Sequence, residues 1–143
     1  MLNSKQKGNL TELLCLAAFT ELGYTVSIPY GDCARYDFIV DINNKLYKIQ
    51  CKTANEVEDG VFRFSTRSTQ VGTSSINTRT YSKDEIDFFA TIINKKCCLI
   101  PVEETSSRAK TLRINPPKNG QKVGINFVKD YELVSQLEKL KEG

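Results

Sequence analysis

Residues 36–52, YDFIVDINNKLYKIQCK, decide the fold class of this chain. The first part, residues 36–42, is rich in β-branched and aromatic side chains, and residues 45–52 alternate in polarity as half-buried strands do. Asn43 and Asn44 separate the two parts and supply residues that favour a turn. The stretch therefore predicts two strands joined as a β-hairpin.

Such a hairpin would bring polar side chains together at one edge of a sheet. Gln50 and Lys52 are two positions apart and so point to the same face, and Asp37 starts the opposite strand. A cation ligand and an ammonium group would then meet, with Glu12 supplied from an amphipathic stretch upstream. We interpret this arrangement as a metal site for cutting phosphodiester bonds.

Composition limits the class of protein. With 143 residues and 40% hydrophobic content, the chain is expected to form one domain over residues 1–143. No apolar run approaches the roughly 18 residues of a membrane span, and no signal-peptide core follows the N-terminus. We therefore expect a soluble, cytoplasmic protein with no membrane partner. The five cysteines are odd in number and lack a Cys-x-x-Cys pair, so neither a disulfide framework nor a zinc ribbon is indicated.

The chain contains no histidine, which excludes several kinds of catalytic site. Ser-His and Cys-His nucleophile pairs, histidine-rich zinc sites and nucleases with a histidine general base are all ruled out. Oxygen ligands and a lysine remain, and this combination suits Mg²⁺, with Mn²⁺ as an alternative.

The remaining patterns predict an α/β protein. A helix over 9–22 would be capped by Asn9, with Glu12 in its first turn. Its predicted apolar stripe consists of Leu10, Leu13, Leu14, Ala17, Ala18 and Leu22. The further expected elements are an edge strand at 24–29, a strand at 61–66, a polar stretch at 67–83, a short helix at 83–89 capped by Ser82, a strand at 96–102, a loop at 116–120 and a C-terminal helix at about 130–142.

Several motifs, taken in this order, resemble the PD-(D/E)XK nuclease superfamily and in particular its bacterial group I intron-associated homing endonuclease branch. They are Glu12, residues 35–37 (RYD), residues 50–53 (QCKT), residues 81–90 (YSKDEIDFFA) and residues 116–121 (PPKNGQ). Tyr36 stands where the superfamily usually has proline, and Gln50 replaces its second carboxylate. The intron-associated branch is known for such a glutamine, so this departure supports the narrower assignment.

The resemblance implies a restriction-endonuclease-like core, with a mixed β-sheet flanked by helices, and a role for each site residue. Asp37 would bridge the metal, the Gln50 amide oxygen and the Cys51 carbonyl would be further ligands, and Glu12 would hold a metal-bound water or a second ion. Lys52 would position the attacking water. The residues by themselves allow other roles: Glu12 could be a capping-box carboxylate, Lys52 a solvated strand-end lysine, and the Cys51 side chain should face the core.

The function that follows is a magnesium-dependent, site-specific endonuclease of double-stranded DNA, of the intron-homing type. Two alternatives stay open: a Holliday-junction resolvase or DNA-repair nuclease on the same core, and a catalytically inactive DNA-binding module. Because one small domain places one active site on one strand, we expect a homo-oligomer, a dimer or, as in the homing branch, a tetramer. The apolar stripe formed by Val134, Leu137 and Leu140 is the candidate contact.

Positive charge is concentrated in two segments of the chain. Residues 60–83 and 105–129 contain no acidic residue, although the net charge of the whole chain is only +3. Both segments are also rich in hydroxyl and amide side chains that can bond phosphates or base edges. For Arg35 the sequence allows a salt bridge to Asp37 or a phosphate contact, and we favour the phosphate contact. The predicted DNA-binding residues are Arg35, Arg63, Arg67, Arg79, Lys83, Arg113, Lys118 and Lys122.

Overall fold

The computed structural model describes residues 1–71, 76–106 and 108–142 of the chain. Three α-helices and ten strands are assigned within these residues, together with a 3-10 turn at Val102–Glu104. In chain order the elements are α1 (Ser4–Glu21), β1 (Thr25–Ser27), β2 (Phe38–Ile42), β3 (Lys45–Cys51), β4 (Asn55–Glu58), β5 (Val61–Ser65), β6 (Arg67–Val71), β7 (Ile76–Thr80), β8 (Phe88–Ile93), β9 (Lys96–Pro101), β10 (Ala109–Arg113), α2 (Val128–Tyr131) and α3 (Leu133–Glu142).

Helix α1 begins five residues earlier than predicted. Asn3, not Asn9, is its N-cap: the Asn3 side chain accepts from the Gln6 amide at 2.9 Å, and the Gln6 side chain accepts from the Asn3 amide at 2.9 Å. This reciprocal capping box satisfies two amides that a helix end otherwise leaves unbonded. The predicted cap at Asn9 is therefore wrong, and Glu12 lies in the middle of the helix rather than in its first turn.

The buried face of α1 also differs from the predicted stripe. Thr11, Cys15 and Phe19 face the core at a spacing of four residues, and Phe19 packs edge-on against Phe38 with ring centroids 5.7 Å apart. Of the predicted stripe, only Ala18 packs against the core; the others, Leu10, Leu13, Leu14, Ala17 and Leu22, are exposed. The leucine spacing is amphipathic, but the row of Thr11, Cys15 and Phe19 faces the sheet instead.

The main sheet is mixed and has the strand order β1-β2-β3-β8-β9. Strands β1, β2 and β3 are antiparallel, β3 pairs with β8 in parallel, and β8 pairs with β9 in antiparallel fashion. The predicted hairpin is present, with Asn43 and Asn44 at φ values of 54° and 67° in its turn. With helices packed against it, this sheet confirms the predicted fold class.

Two smaller strand assemblies complete the fold. Strands β10, β5 and β4 form a three-stranded antiparallel sheet, and β6 and β7 pair as an antiparallel two-stranded ribbon. The sequence prediction of a strand near 61–66 is confirmed by β5. The polar stretch at 67–83, predicted without strands, instead contains this ribbon.

The prediction of a short helix at 83–89 is wrong. Residues 83–85 form a turn, and the chain then enters β8, a strand of the main sheet. Four of the six residues in this strand, Phe88, Phe89, Ala90 and Ile93, are buried apolar side chains, as is typical of a strand covered on both faces. Ser82 serves the turn: its amide and hydroxyl lie 3.1 and 3.3 Å from Glu85 Oε1.

The C-terminal helix begins at Leu133, whereas Asp130 belongs to the short helix α2. Glu132 separates the two helices with extended backbone at ψ 146°. Leu137 is buried and Leu140 packs against the same core, so the stripe predicted as a contact between copies mainly covers this molecule's own sheet; Val134 is 57% exposed. None of the described helices is long and apolar enough to cross a membrane.

The core has two parts that lie on opposite faces of the main sheet. Helices α1 and α3 cover one face, over Phe38, Val40 and Ile49. The other face carries Phe89 and Ile93, packed against Phe64 and Leu112 of the three-stranded sheet. Since neighbouring strand residues point to opposite faces, residues adjacent to Phe38 and Ile49 in sequence project toward the second part of the core.

Candidate active site

Asp37 is fixed where β2 begins. Its amide donates to the Ile49 carbonyl at 2.8 Å, and its Oδ2 accepts from the Cys51 amide at 2.8 Å. Phe38 pairs with Ile49 and both face the α1 side, so Asp37 and Gln50 stand together on the opposite face. Among the described residues no hydrogen bond reaches Oδ1 of Asp37, which leaves this oxygen available to a ligand.

Lys52 follows β3 and shares the face of Gln50. Its amide donates to the Ala90 carbonyl at 2.9 Å, which extends the parallel pairing with β8 by one residue. Its Nζ donates to the Arg67 carbonyl at 2.6 Å and lies 5.3 Å from the centre of the Tyr81 ring. The ammonium group is therefore held between the main sheet and the start of the β6–β7 ribbon.

Glu12 reaches this region from the middle of α1. The neighbouring Thr11 hydroxyl lies 3.2 Å from that of Thr53, which joins the helix to the segment that follows Lys52. Burial, and then the charge of the neighbouring Asp37, raises the pKa of the Glu12 carboxyl. The capping role considered for Glu12 is taken by Gln6 instead.

Burial shifts the pKa of all three groups toward their neutral forms. It raises the pKa of Asp37, although the hydrogen bond from Cys51 and the charge of Lys52 oppose the shift. The pKa of Glu12 is raised first by burial and then by Asp37. That of Lys52 is lowered by burial and by Arg35, with Asp37 opposing. Two partly desolvated carboxylates that repel each other form a place where a cation would be stabilised.

The donor groups fit a hard metal ion. Besides the Asp37 and Glu12 carboxylates, the Gln50 amide and the Cys51 carbonyl are neighbours, with Gln50 Nε2 3.5 Å from the carbonyl oxygen. In the part of the chain that the structure describes, no cluster of three or more Cys, Asp or Glu side chains could hold a metal. A metal here would thus need amide, carbonyl and water oxygens, which Mg²⁺ accepts. The Cys51 side chain packs toward the α1 side of the sheet, as expected.

Arg35 pairs with Glu85 rather than with Asp37. Its Nη1 lies 2.9 Å from both Glu85 carboxylate oxygens and donates to the Thr80 carbonyl at 2.8 Å, and its Nη2 donates to the Ser68 hydroxyl. The guanidinium carbon lies 3.9 Å from the centre of the Tyr81 ring. The side chain is only 17% exposed. Hydrogen bonds with Arg35 hold the pKa of Glu85 below its ordinary value.

Sequence reasoning missed the roles of Glu85 and Tyr81. Both lie in the segment 81–90 on which the family resemblance rests, but a helix was expected there. Ser82, the predicted cap of that helix, lies three residues before Glu85. The same pair in fact closes a turn, and this leaves the Glu85 carboxylate free to bind an arginine from a distant segment.

The predicted DNA-binding residues other than Arg35 lie in four regions of the fold. Arg67 and Arg79 lie on the ribbon beside the site; Arg79 is 68% exposed and pairs with Glu85 at 2.8 Å. Arg63 and Arg113 lie on the three-stranded sheet, where Arg63 Nε donates to Thr111 and Arg113 Nε to the Asn115 carbonyl. Lys83 pairs with Glu103 at 3.8 Å. Lys118 and Lys122 are exposed in the segment between β10 and α2.

The chain is similar to known nucleases in sequence and in fold. A family model described as PD-(D/E)XK endonuclease matches residues 2–134. A solved structure described as a bacterial homing endonuclease, I-Ssp6803I, has a TM-score of 0.77 to this chain, with 99% of both chains covered and 19% sequence identity. At that identity the likeness shows the fold, which confirms the expected restriction-endonuclease-like core. No curated protein sequence matches the chain significantly.

Proposed function

The chain belongs to the PD-(D/E)XK endonucleases, a family that generally uses divalent metal ions, and from this premise we propose that it is a magnesium-dependent, site-specific endonuclease of double-stranded DNA of the intron-homing type. One observation carries the proposal: Asp37, Gln50 and Lys52 share one face of the sheet, with Glu12 beside them. The fold likeness to a protein described as a bacterial homing endonuclease supports the narrower part of the proposal.

In this proposal Asp37, the Gln50 amide oxygen and the Cys51 carbonyl would hold Mg²⁺, and Glu12 would hold a bound water or a second ion. When bound, the ion supplies positive charge to the oxygens of the scissile phosphate. The Cys51 amide keeps Asp37 oriented through Oδ2, so that Oδ1 can serve the ion. To use its oxygen as a ligand, the Gln50 amide would turn from the orientation in which its nitrogen faces the Cys51 carbonyl.

Lys52 orients the attacking water and stabilises charge on the phosphate. A water oxygen forms the new bond to phosphorus while one bond from phosphorus to a deoxyribose oxygen breaks, and a proton passes from the water to the leaving oxygen. A half-buried ammonium group aimed at the reacting phosphate is an electrostatic contact of the kind whose loss costs about 10²-fold or more in rate. Lys52 can keep its hydrogen bond to the Arg67 carbonyl in this step, because the ammonium group has three N–H donors and two remain for water or phosphate.

DNA contacts are proposed for the ribbon, the three-stranded sheet, the turn at Lys83 and the segment between β10 and α2. A two-stranded antiparallel ribbon has the width to enter the major groove, where base edges can be read. The β6–β7 ribbon contains Arg67 and Arg79. Its root, where β6 begins and β7 ends (residues 67–68 and 79–80), borders Lys52. The proposed contacts are Arg63, Arg67, Arg79, Lys83, Arg113, Lys118 and Lys122. Arg35 is not among them, because Glu85, Ser68 and Thr80 already engage its guanidinium.

Cutting both strands calls for a second copy, and the exposed face of α1 is the surface proposed for it. Leu10, Leu13, Leu14 and Ala17 lie on this face, which points away from the core, and Leu13 is 62% exposed. An antiparallel pair of these helices would bring Lys7 near the start of one helix toward Glu21 near the end of the other, with opposed helix dipoles. We propose a homo-oligomer built on this contact, a dimer or a tetramer.

The proposed function is tested with a library of duplexes that contain a randomised segment. We expect that incubation with Mg²⁺ releases ends that map to one short sequence, and that a chelator prevents cutting. Cleavage of four-way junctions without sequence preference would indicate a resolvase instead. Specific binding with no cleavage in Mg²⁺ or Mn²⁺ would overturn the nuclease assignment in favour of a DNA-binding module.

A further inference from the structure

Arg35 contacts four residues in the region of the Lys52 ammonium group. It donates to Ser68 on β6 and to the carbonyl of Thr80 at the end of β7, stacks on Tyr81, and pairs with Glu85 in the turn before β8. Both strands of the ribbon are therefore tied at their root to one guanidinium group, which lies two residues before Asp37.

The root of the ribbon also determines where the Lys52 amine sits. Lys52 Nζ donates to the carbonyl of Arg67, the residue next to Ser68 on β6, at 2.6 Å. Hydrogen bonds thus run from Glu85 through Arg35 to Ser68, whose backbone is joined covalently to the carbonyl that binds Lys52. A shift of the ribbon root would move the acceptor of this amine, since Ser68 and Arg67 share one peptide unit.

We propose that Arg35 and Glu85 are positioning residues, which fix the ribbon root and thereby aim Lys52 at the scissile phosphate, and that Arg35 is not itself a phosphate contact. This inference rests on the proposed function, because it assigns positioning roles to two residues at the same site. Neither residue touches the reacting atoms. Their effect passes through Lys52. A displacement of a catalytic group by about 1 Å can lower the reaction rate by about 10²-fold.

Glu85 is what keeps Arg35 in this arrangement. A guanidinium group that is 17% exposed needs a counter-charge, and Glu85 supplies it through both carboxylate oxygens. Replacing Glu85 by glutamine would leave the arginine charge without its partner and would loosen Ser68 and Thr80. A DNA phosphate could reach the guanidinium only by displacing Glu85, so the two roles for Arg35 predict different results.

The first test measures single-turnover cleavage and DNA affinity for Arg35→Gln and Glu85→Gln, with Glu132→Gln as the control. Glu132 forms a more exposed ion pair with Lys96 at 3.5 Å, in a different part of the fold. We expect the cleavage rate at saturating DNA to fall about 10- to 100-fold in both variants, with affinity within about 3-fold of wild type and an unchanged control. The double variant should be no slower than either single one, and Glu85→Asp should recover most of the rate.

The phosphate-contact role makes the opposite prediction. If Arg35 bound DNA directly, Arg35→Gln would weaken affinity and reduce the slope of log affinity against log salt by about 1. Glu85→Gln would then free the arginine and strengthen binding. That pattern, or normal cleavage rates in both variants, overturns the proposal. Ser68→Ala removes one hydroxyl, which accepts from Arg35 and donates to the Arg79 carbonyl, without changing any charge, and it provides the test if the charge variants fold poorly.

A second measurement needs no DNA. In the free protein, acylation of Lys52 by an amine reagent can be followed by mass spectrometry, with the exposed Lys83 as internal reference. Loss of Glu85 or Arg35 should speed acylation of Lys52 several-fold relative to Lys83. An unchanged ratio of the two acylation rates in both variants contradicts the positioning of Lys52 by Arg35 and Glu85. This result separates the two proposals: a wild-type protein that cleaves no DNA refutes the nuclease function, whereas the Lys52 ratio still decides whether Arg35 and Glu85 position the amine.

Discussion

The Cys51 amide donates a hydrogen bond to the Asp37 carboxylate, although the Cys51 side chain points to the opposite face of the sheet. One residue thus contributes backbone to the active site and a thiol to the core. The amide holds Oδ2 of Asp37, and the carbonyl of the same residue is a proposed ligand. Strand β3 therefore supplies two backbone groups as well as the side chain of Gln50, and the residue that follows it is Lys52.

We predict that Asp37→Asn and Lys52→Ala each lower the cleavage rate by about 10²-fold or more. Asparagine can still accept the Cys51 hydrogen bond but lacks the charge that a divalent ion needs. Most of the DNA affinity should remain. Asp41→Asn, a change of the same kind further along β2, is the matched control and should cut normally. Wild-type rates for Asp37→Asn or Lys52→Ala would refute the mechanism.

Asp37→Asn should also stabilise the protein at neutral pH. The folded-state pKa of Asp37 is raised by burial, so the ionised carboxylate disfavours folding above its unfolded pKa. The neutral variant avoids this cost at pH 7, and the advantage should disappear as the pH falls below the unfolded pKa, about 4. Denaturant unfolding at pH 7 and pH 3 measures the difference.

Gln50→Glu should alter the choice of metal more than the rate. It would add a third carboxylate beside Asp37 and Glu12, where burial already disfavours negative charge. We expect cutting to persist, with a changed ratio of activities in Mg²⁺ and Mn²⁺, because added charge and ligand type alter metal preference. Complete inactivity in both metals, in a variant that still folds, would show that an amide is required at this position.

Much of the site could be predicted from sequence because it rests on local patterns. Alternation places Gln50 and Lys52 on one face, and the Asn43–Asn44 turn brings Asp37 opposite them. The partners of Arg35 could not be predicted, because Glu85 is fifty residues away and its turn resembles a helix start. Likewise, packing against the sheet determines which face of α1 is buried, and this face differs from the one that the leucine spacing predicted.

The exposed leucines of α1 lead to a prediction about assembly. Leu13→Glu and Leu14→Glu should shift the protein toward monomer in sedimentation measurements, since a charge would be buried without a partner at the proposed contact. Nicked rather than doubly cut plasmid should then accumulate. Val134→Glu, on the stripe first predicted for this contact, is the control and should leave assembly unchanged. The reverse pattern would place the contact on α3.

Glu85 gives a prediction for stability against pH. Its folded-state pKa is lowered by Arg35, so its contribution is present above the unfolded value of about 4.5 and is lost as the pH falls through the folded value. We expect Glu85→Gln to cost about 1–3 kcal/mol of unfolding free energy at pH 7 and much less at pH 3. A cost that is equal at both pH values would mean that the effect is packing rather than charge.

The distribution of basic residues predicts how DNA affinity depends on salt. Removing a side chain that binds one phosphate should reduce the slope of log affinity against log salt by about 1, whereas removing an arginine that reads guanine should relax specificity at one base pair by about 1–3 kcal/mol. We apply this test to alanine variants of Arg63, Arg67, Arg79, Arg113 and Lys118. Lys139→Ala, on α3, is the control and should change neither quantity. If the five variants together leave affinity and its salt dependence intact, DNA binds another surface of the molecule.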